Sequence, residues 1–143
     1  LGAGVIQYCG LDVSREELDA FAALLAPAGL VDQMPEGLID ASSAVSGSGP
    51  AFTYLFIEAL ADGGVACGLP RAKAMAYAAQ MVAGAAKMVL ESGQHPGMLK
   101  DAVCSPGGTT IQGVRALEEH GFRAAAMSAV MATYEKTLEL AKK

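Results

Sequence analysis

The chain has 143 residues, of which 52% are hydrophobic and 17% charged, with a formal net charge of −5. That length fits one domain, or one domain plus part of another, and the charged fraction falls below the roughly 25% of an ordinary soluble domain. The ten Lys and Arg are scattered singly until Lys142-Lys143, so no basic stripe exists to neutralise phosphates, and nucleic acid is excluded as a partner.

Val5 to Tyr8 reads as a short strand. Ser14-Arg-Glu-Glu17 is a capping box, in which hydroxyl and carboxylate satisfy each other's backbone N–H groups. It starts a helix whose apolar face is Leu18, Phe21, Leu24 and Leu25, and Pro27 and Gly29 stop that helix before a second strand at Leu30-Val31. A strand–helix–strand of this size is the tail of an α/β domain, because residues 1 to 34 could hardly cover both faces of a sheet alone. From about Glu36 everything reads as helix. Leu38 to Val45 is one segment, broken by Ser46-Gly-Ser-Gly-Pro50, with Pro50 in the first turn of the next helix, where its missing N–H is harmless. Phe52, Leu55, Phe56, Ala59, Leu60 and Gly63 recur at helical spacing. Gly68 and Pro70 give a stop and a fresh start. A long Ala-rich helix follows through Met75, Ala79, Val82, Ala86, Val89 and Leu90. His95-Pro96 opens a short helix through Leu99 to Val103. After the loop from Cys104 to Gly108 comes a helix with Ile111, Val114 and Leu117. Gly121 ends it and Phe122 begins the last helix, through Ala126, Val130 and Leu138. Two long helices this apolar, with small residues on several faces, belong in the middle of a bundle.

The apolar excess has two explanations, a membrane or another chain. The best candidate spans, Ala51 to Leu69 and Ala74 to Leu90, carry Glu58, Asp62 and Lys87, each costing about 2.5–3.5 kcal/mol at mid-bilayer. A transmembrane reading is rejected, and burial against a second copy is expected instead. Three cysteines, Cys9, Cys67 and Cys104, form no CxxC pair; they suit a reducing, cytoplasmic setting rather than a disulfide framework or a zinc site, and no metal is expected. The chain shows no signal peptide, and its start at Leu1 points to a fragment.

The loop Ser105-Pro-Gly-Gly-Thr-Thr110 is the most informative stretch. Gly107 and Gly108 let the backbone turn tightly beside a ligand. The helix beginning at Thr109 or Thr110 has unpaired first N–H groups and a positive dipole end, and Ser105, Thr109 and Thr110 add hydroxyls. Together these make a site for a small carboxylate; the plain alternative is a capped helix after a glycine turn. The Ser46 to Pro50 turn poses the same choice, and there the structural reading is preferred. His95 is read as a helix-start or packing residue rather than a catalyst, Cys104 as lacking the His and Asp a nucleophile needs, and Glu58 with Asp62 as a solvated face. Gly2-Ala-Gly4 is no dinucleotide fingerprint, since Gln7 stands at the third glycine position.

Taken in order, Ser46-Gly-Ser-Gly-Pro-Ala51, Glu58-Ala-Leu-Ala-Asp-Gly-Gly64, Gly68-Leu-Pro-Arg71, Gly84-Ala-Ala-Lys87, His95-Pro96, Leu99-Lys-Asp101, Ser105-Pro-Gly-Gly-Thr-Thr110, Leu117-Glu118 and Gly121-Phe-Arg123 resemble the pyrroline-5-carboxylate reductase family over nearly the whole chain. The resemblance implies a mainly α fold: an interlocking helical bundle over residues 35–143 that binds substrate and forms the homodimer, preceded by a strand–helix–strand remnant of a Rossmann domain over residues 1–34. It implies reduction of 1-pyrroline-5-carboxylate to L-proline, in proline biosynthesis, with NADPH or NADH held mainly by a domain this chain lacks, so that the chain alone is inactive and contributes no cofactor-binding residue. It also implies that Ser105, Gly107, Gly108, Thr109 and Thr110 bind the substrate, with Thr110 as the catalytic residue whose hydroxyl reaches the imine nitrogen. Two rivals remain. The helical domain of a β-hydroxyacid dehydrogenase needs a catalytic lysine that no motif here supplies. A plain association module would use the glycine loops only as turns.

Overall fold

A computed structural model describes residues 2–142 of the chain. Its α-carbons fall into two compact units, residues 1–50 with 127–143, and residues 51–126.

In the first unit, strand β1 (Gly4–Tyr8) and strand β2 (Gly29–Gln33) pair in parallel, Gly4 opposite Gly29 and Tyr8 opposite Gln33. Parallel neighbours require a crossover, and helix α1 (Arg15–Leu25) supplies it. The capping box forms as the sequence predicts: the Ser14 hydroxyl accepts from the Glu17 amide at 3.3 Å, and the Ser14 amide donates to the Glu17 carboxylate at 2.9 Å. The Ser14 hydroxyl, then its backbone N–H, holds the Glu17 carboxyl below the ordinary carboxylate range. The share of stability that comes with this ionisation is therefore present above that range and disappears as pH falls through the lowered value. Phe21 stacks on Tyr8 with ring centroids 5.0 Å apart. Leu24, expected on the same face, is 77% exposed, and Phe21, three residues before it and on the same side, is 42% exposed; Leu18 and Leu25, seven residues apart, are the half-buried pair.

A single 3₁₀ turn, Glu36–Leu38, leads into helix α2 (Ile39–Ser46), which packs on β1. The Gln7 side-chain amide donates to the Ser46 hydroxyl at 2.6 Å, and that hydroxyl donates to the Ser42 carbonyl at 3.0 Å. This tie, between residues far apart in sequence, fixes the end of α2 to the strand.

Helix α3 (Gly49–Ala66) has Pro50 in its first turn as expected, and helix α4 (Arg71–Ser92) follows after Gly68-Leu69-Pro70. In the second unit these two meet through small side chains: Ala61, Ala74 and Ala78 are buried, with Ile57, Leu60 and Val65 packed around them. A methyl at Gly64 would come within 3.2 Å of the Ala74 Cβ, so the helices approach almost backbone to backbone. Arg71 pairs with Asp62 across the same junction. Helix α5 (Pro96–Ala102), helix α6 (Thr109–Glu119) and helix α7 (Phe122–Ala141) complete the chain, and Phe122 stacks on Phe56 at 5.4 Å.

Among the described residues the buried hydrophobics are four alanines, the fourth being Ala44. The long apolar helices are thus not enclosed within one chain, unlike the interior of a finished bundle. On α4, Tyr77, Met81 and Met88 stand exposed at positions i, i+4 and i+11, with Gly84 between them. On α7, Met127, Met131 and Leu138 repeat that spacing. Among the described residues no helix is long and apolar enough to cross a membrane.

Candidate functional site

The five residues singled out in the sequence fall together where the loop after α5 meets the first turn of α6. At the first end, the Val103 amide donates to the Lys100 carbonyl at 3.2 Å and the Cys104 amide to the Asp101 carbonyl at 3.1 Å, closing α5. At the other end Gly108 is the N-cap of α6 in extended conformation, with φ −74° and ψ 174°. Between them Gly107 takes φ 69°, and the Gly108 amide donates to the Ser105 carbonyl at 3.0 Å. That bond makes the loop a closed turn that brings the Ser105 hydroxyl against Gly108.

The Gly108 amide is therefore used inside the loop and is not free for a ligand, although the sequence counts it among the binding groups. The α6 amides that follow differ. No side chain caps this helix, and its first N–H groups have no intrahelical acceptor by construction. Thr109 and Thr110 are exposed, and among the described residues the side chains of Ser105, Thr109 and Thr110 make no hydrogen bond. Three hydroxyls and an uncapped helix start thus face solvent within one turn of chain.

The electrostatics of this point come from the backbone. The basic residues nearest in sequence are each engaged: Lys100 with Asp101 at 2.6 Å, Arg115 with Glu119 at 2.6 Å, and Arg123 with Glu118 at 2.6 Å. The Asp101 hydrogen bond, followed by its charge, raises the Lys100 pKa above the ordinary lysine value. The positive end of the α6 dipole and its open amides supply the attraction for an anion, a term of about 0.3–1 kcal/mol for each charge at an exposed end. Cys104 is half-buried beside the loop and makes no bond to a histidine. Among the described residues no three His, Cys, Asp or Glu gather as a metal site.

Both glycines have distinct reasons to be glycine. A side chain at Gly107 would meet open space but would have to adopt positive φ, at about 1–2 kcal/mol. A side chain at Gly108 would collide with the Ser105 hydroxyl and lie 3.1 Å from the Ser105 carbonyl oxygen. We expect Gly108→Ala to turn the hydroxyl away and weaken anion binding at the loop while changing the melting temperature little. Gly107→Ala should lower the melting temperature as well. Paired thermal melts and ligand titrations of the two variants check this contrast.

A pocket of about 420 Å3 occurs elsewhere, at the carboxyl ends of β1 and β2, lined by Cys9, Gly10, Leu11, Gln33, Met34, Pro35 and Glu36. Neither this pocket nor the tie between Gln7 and Ser46 is legible from local sequence, since both depend on pairing of distant segments.

Comparison with known proteins adds the following. Residues 36–140 match the family described as pyrroline-5-carboxylate reductase dimerisation. The chain is 52% identical over 134 residues to a pyrroline-5-carboxylate reductase of Methanosarcina acetivorans, covering 94% of this chain and 50% of that protein. It is 55% identical over 114 residues to the Escherichia coli protein of that name, covering 80% of this chain and 42% of the relative. Among solved structures, a pyrroline-5-carboxylate reductase from Coxiella burnetii superposes with a TM-score of 0.92 at 34% identity, over 96% of this chain and 52% of that one. A Plasmodium falciparum pyrroline carboxylate reductase with NADP bound superposes with a TM-score of 0.85 at 37% identity, over 94% and 52%. The chain spans about half the length of the curated relatives it matches.

Proposed function

The chain belongs to the pyrroline-5-carboxylate reductase dimerisation family, and on that premise we propose that it is the substrate-holding, self-associating part of an enzyme that reduces 1-pyrroline-5-carboxylate to L-proline with NADPH or NADH. In this reading residues 1–34 close a cofactor domain and residues 35–143 form the helical substrate and dimer domain. The observation that carries it is the open start of α6: among the described residues no side chain caps it, the Ser105, Thr109 and Thr110 hydroxyls make no hydrogen bond, and the cations nearest in sequence are paired with carboxylates.

The substrate offers a carboxylate and a ring imine. The amides of Thr109 and Thr110 and the Ser105 hydroxyl hold the carboxylate, each hydrogen bond to a charged group contributing about 1.5–3 kcal/mol. Gly107 and Gly108 keep the backbone bare enough for the ligand to approach. With the acid anchored, the Thr110 hydroxyl reaches the imine nitrogen and orients the ring carbon for reduction, a contribution of positioning and charge stabilisation. A reducing cytoplasm suits the three free thiols, Cys9, Cys67 and Cys104.

The residues of this chain do not fit the cofactor's pyrophosphate. In a dinucleotide-binding fold that group binds at a glycine-rich first β–α turn, and the β–α turn described here, at the start of α1, has no GxGxxG. That position is taken by the Glu17 carboxylate, bonded to the Ser14 amide at 2.9 Å, with Glu16 beside it. Glu36 on the rim of the neighbouring pocket adds a third negative charge. A dinucleotide would meet carboxylates where it needs amides, so no residue here is assigned to it.

L-Proline, the product, is the convenient probe. Titrated into the full-length protein, it should shift the backbone amide resonances of residues 107–111 in a saturable way. Unmoved resonances in that stretch, with the protein still self-associated, would favour the plain association module.

A further inference from the structure

His95 is the N-cap of α5, and the cap is made by its ring: Nδ1 accepts the Gly97 backbone N–H at 3.0 Å. The backbone is shaped for this. His95 sits at φ −61° and ψ 134°, and Pro96 begins the helix at the position where a missing N–H is harmless. A methyl at Gly97 would come within 3.0 Å of Nδ1 and 3.4 Å of Cε1, so the ring lies where a side chain would otherwise be. The His95 carbonyl meanwhile accepts from the amides of Met98 at 2.9 Å and Leu99 at 3.3 Å.

An accepting Nδ1 must be unprotonated. Once protonated it becomes a donor pointing at another donor, and the new positive charge sits at the positive end of the helix. A seven-residue helix is too short to persist on propensity alone, so the cap, beside packing, holds its first turn. The other end of α5 carries the Cys104 amide bond that starts the Ser105–Thr110 loop. The charged groups on α5 itself, Lys100 and Asp101, pair with each other at 2.6 Å, and among the described residues no hydrogen bond or ion pair joins the His95 ring to a charged side chain.

We propose that His95 is a positioning residue for the Ser105–Thr110 loop, acting through α5 and only in its neutral form. This rests on the substrate reading above and adds a proton sensitivity to it. Only an unprotonated ring nitrogen can accept the Gly97 N–H, and histidine side chains in general change charge between about pH 5 and 8, so pH is the variable that tests the cap.

The test uses the full-length protein and two substitutions. His95→Asn keeps an acceptor that does not titrate, and His95→Ala removes it. Amide hydrogen exchange across residues 97–110, corrected for intrinsic rates, should lose protection by about 3- to 10-fold from pH 8 to pH 5 in the native protein, the range a helix cap commonly confers. In His95→Asn protection should stay level, and in His95→Ala it should be low throughout. L-Proline affinity should follow the same pattern, since neither charged group of proline titrates in this interval. A native protein with level protection, or an asparagine variant with the native pH dependence, overturns the proposal. If exchange behaves as expected but proline does not bind at any pH, the substrate reading fails and the His95 cap stands.

Discussion

Replacing Thr110 with alanine should reduce kcat/KM for 1-pyrroline-5-carboxylate by about 5- to 150-fold in the full-length protein, with its melting temperature unchanged or slightly raised. The range corresponds to the about 1–3 kcal/mol that accompanies loss of one hydrogen-bond partner from a polar group. Thr110 is exposed in the first turn of α6, and its side chain makes no hydrogen bond among the described residues. It contributes nothing to folding that alanine would lose, and alanine is the better helix former. Thr110→Ser keeps the hydroxyl and should retain most of the activity. Steady-state kinetics of the two variants, beside their thermal melts, separate a ligand-directed hydroxyl from a structural one. Native kinetics in Thr110→Ala would remove this side chain from the mechanism.

A charge placed in the exposed stripe of α4 should have the other large effect. Met81→Arg is expected to weaken self-association at least about 100-fold, because a buried methionine side chain contributes about 1.5–3 kcal/mol and a buried unpaired charge opposes burial further. Met81 is 50% exposed and Leu90 82% exposed, on a helix whose two buried residues are both alanine. Among the described residues no large side chain is fully buried, so a second copy is expected to add to the stability of the chain. Light scattering of the native protein at micromolar concentration should report a dimer or a larger assembly. Its melting temperature should rise with protein concentration, as linkage between folding and association requires. A monomeric native protein with a concentration-independent melt would contradict this.

The features legible in the sequence were the local ones. Ser14 and Glu17 are three residues apart and specify their own geometry, and Pro50, Pro70 and Pro96 mark helix starts that the structure reproduces. The Ser105–Thr110 loop was legible because its glycines and hydroxyls act within six residues. What the sequence could not convey is which face of an apolar helix finds cover. On α4 and α7 apolar residues occur all round, so periodicity carries little directional information. Leu24 was misplaced for a related reason, since its type suits a core and its side of α1 is left exposed. The role of the His95 ring depends on a rotamer that one residue letter does not encode.

Gly29, at φ 142°, faces Gly4 across the parallel strand pair, and a Cβ there would strike the Gly4 carbonyl, lying 2.8 Å from its carbon. The obstacle is main chain, which no rotamer change can move aside. Gly4 and Gly29 are the first pair of the ladder, so a side chain at position 29 would prise the ribbon open from its starting end, away from the Gln7–Ser46 bond that anchors α2.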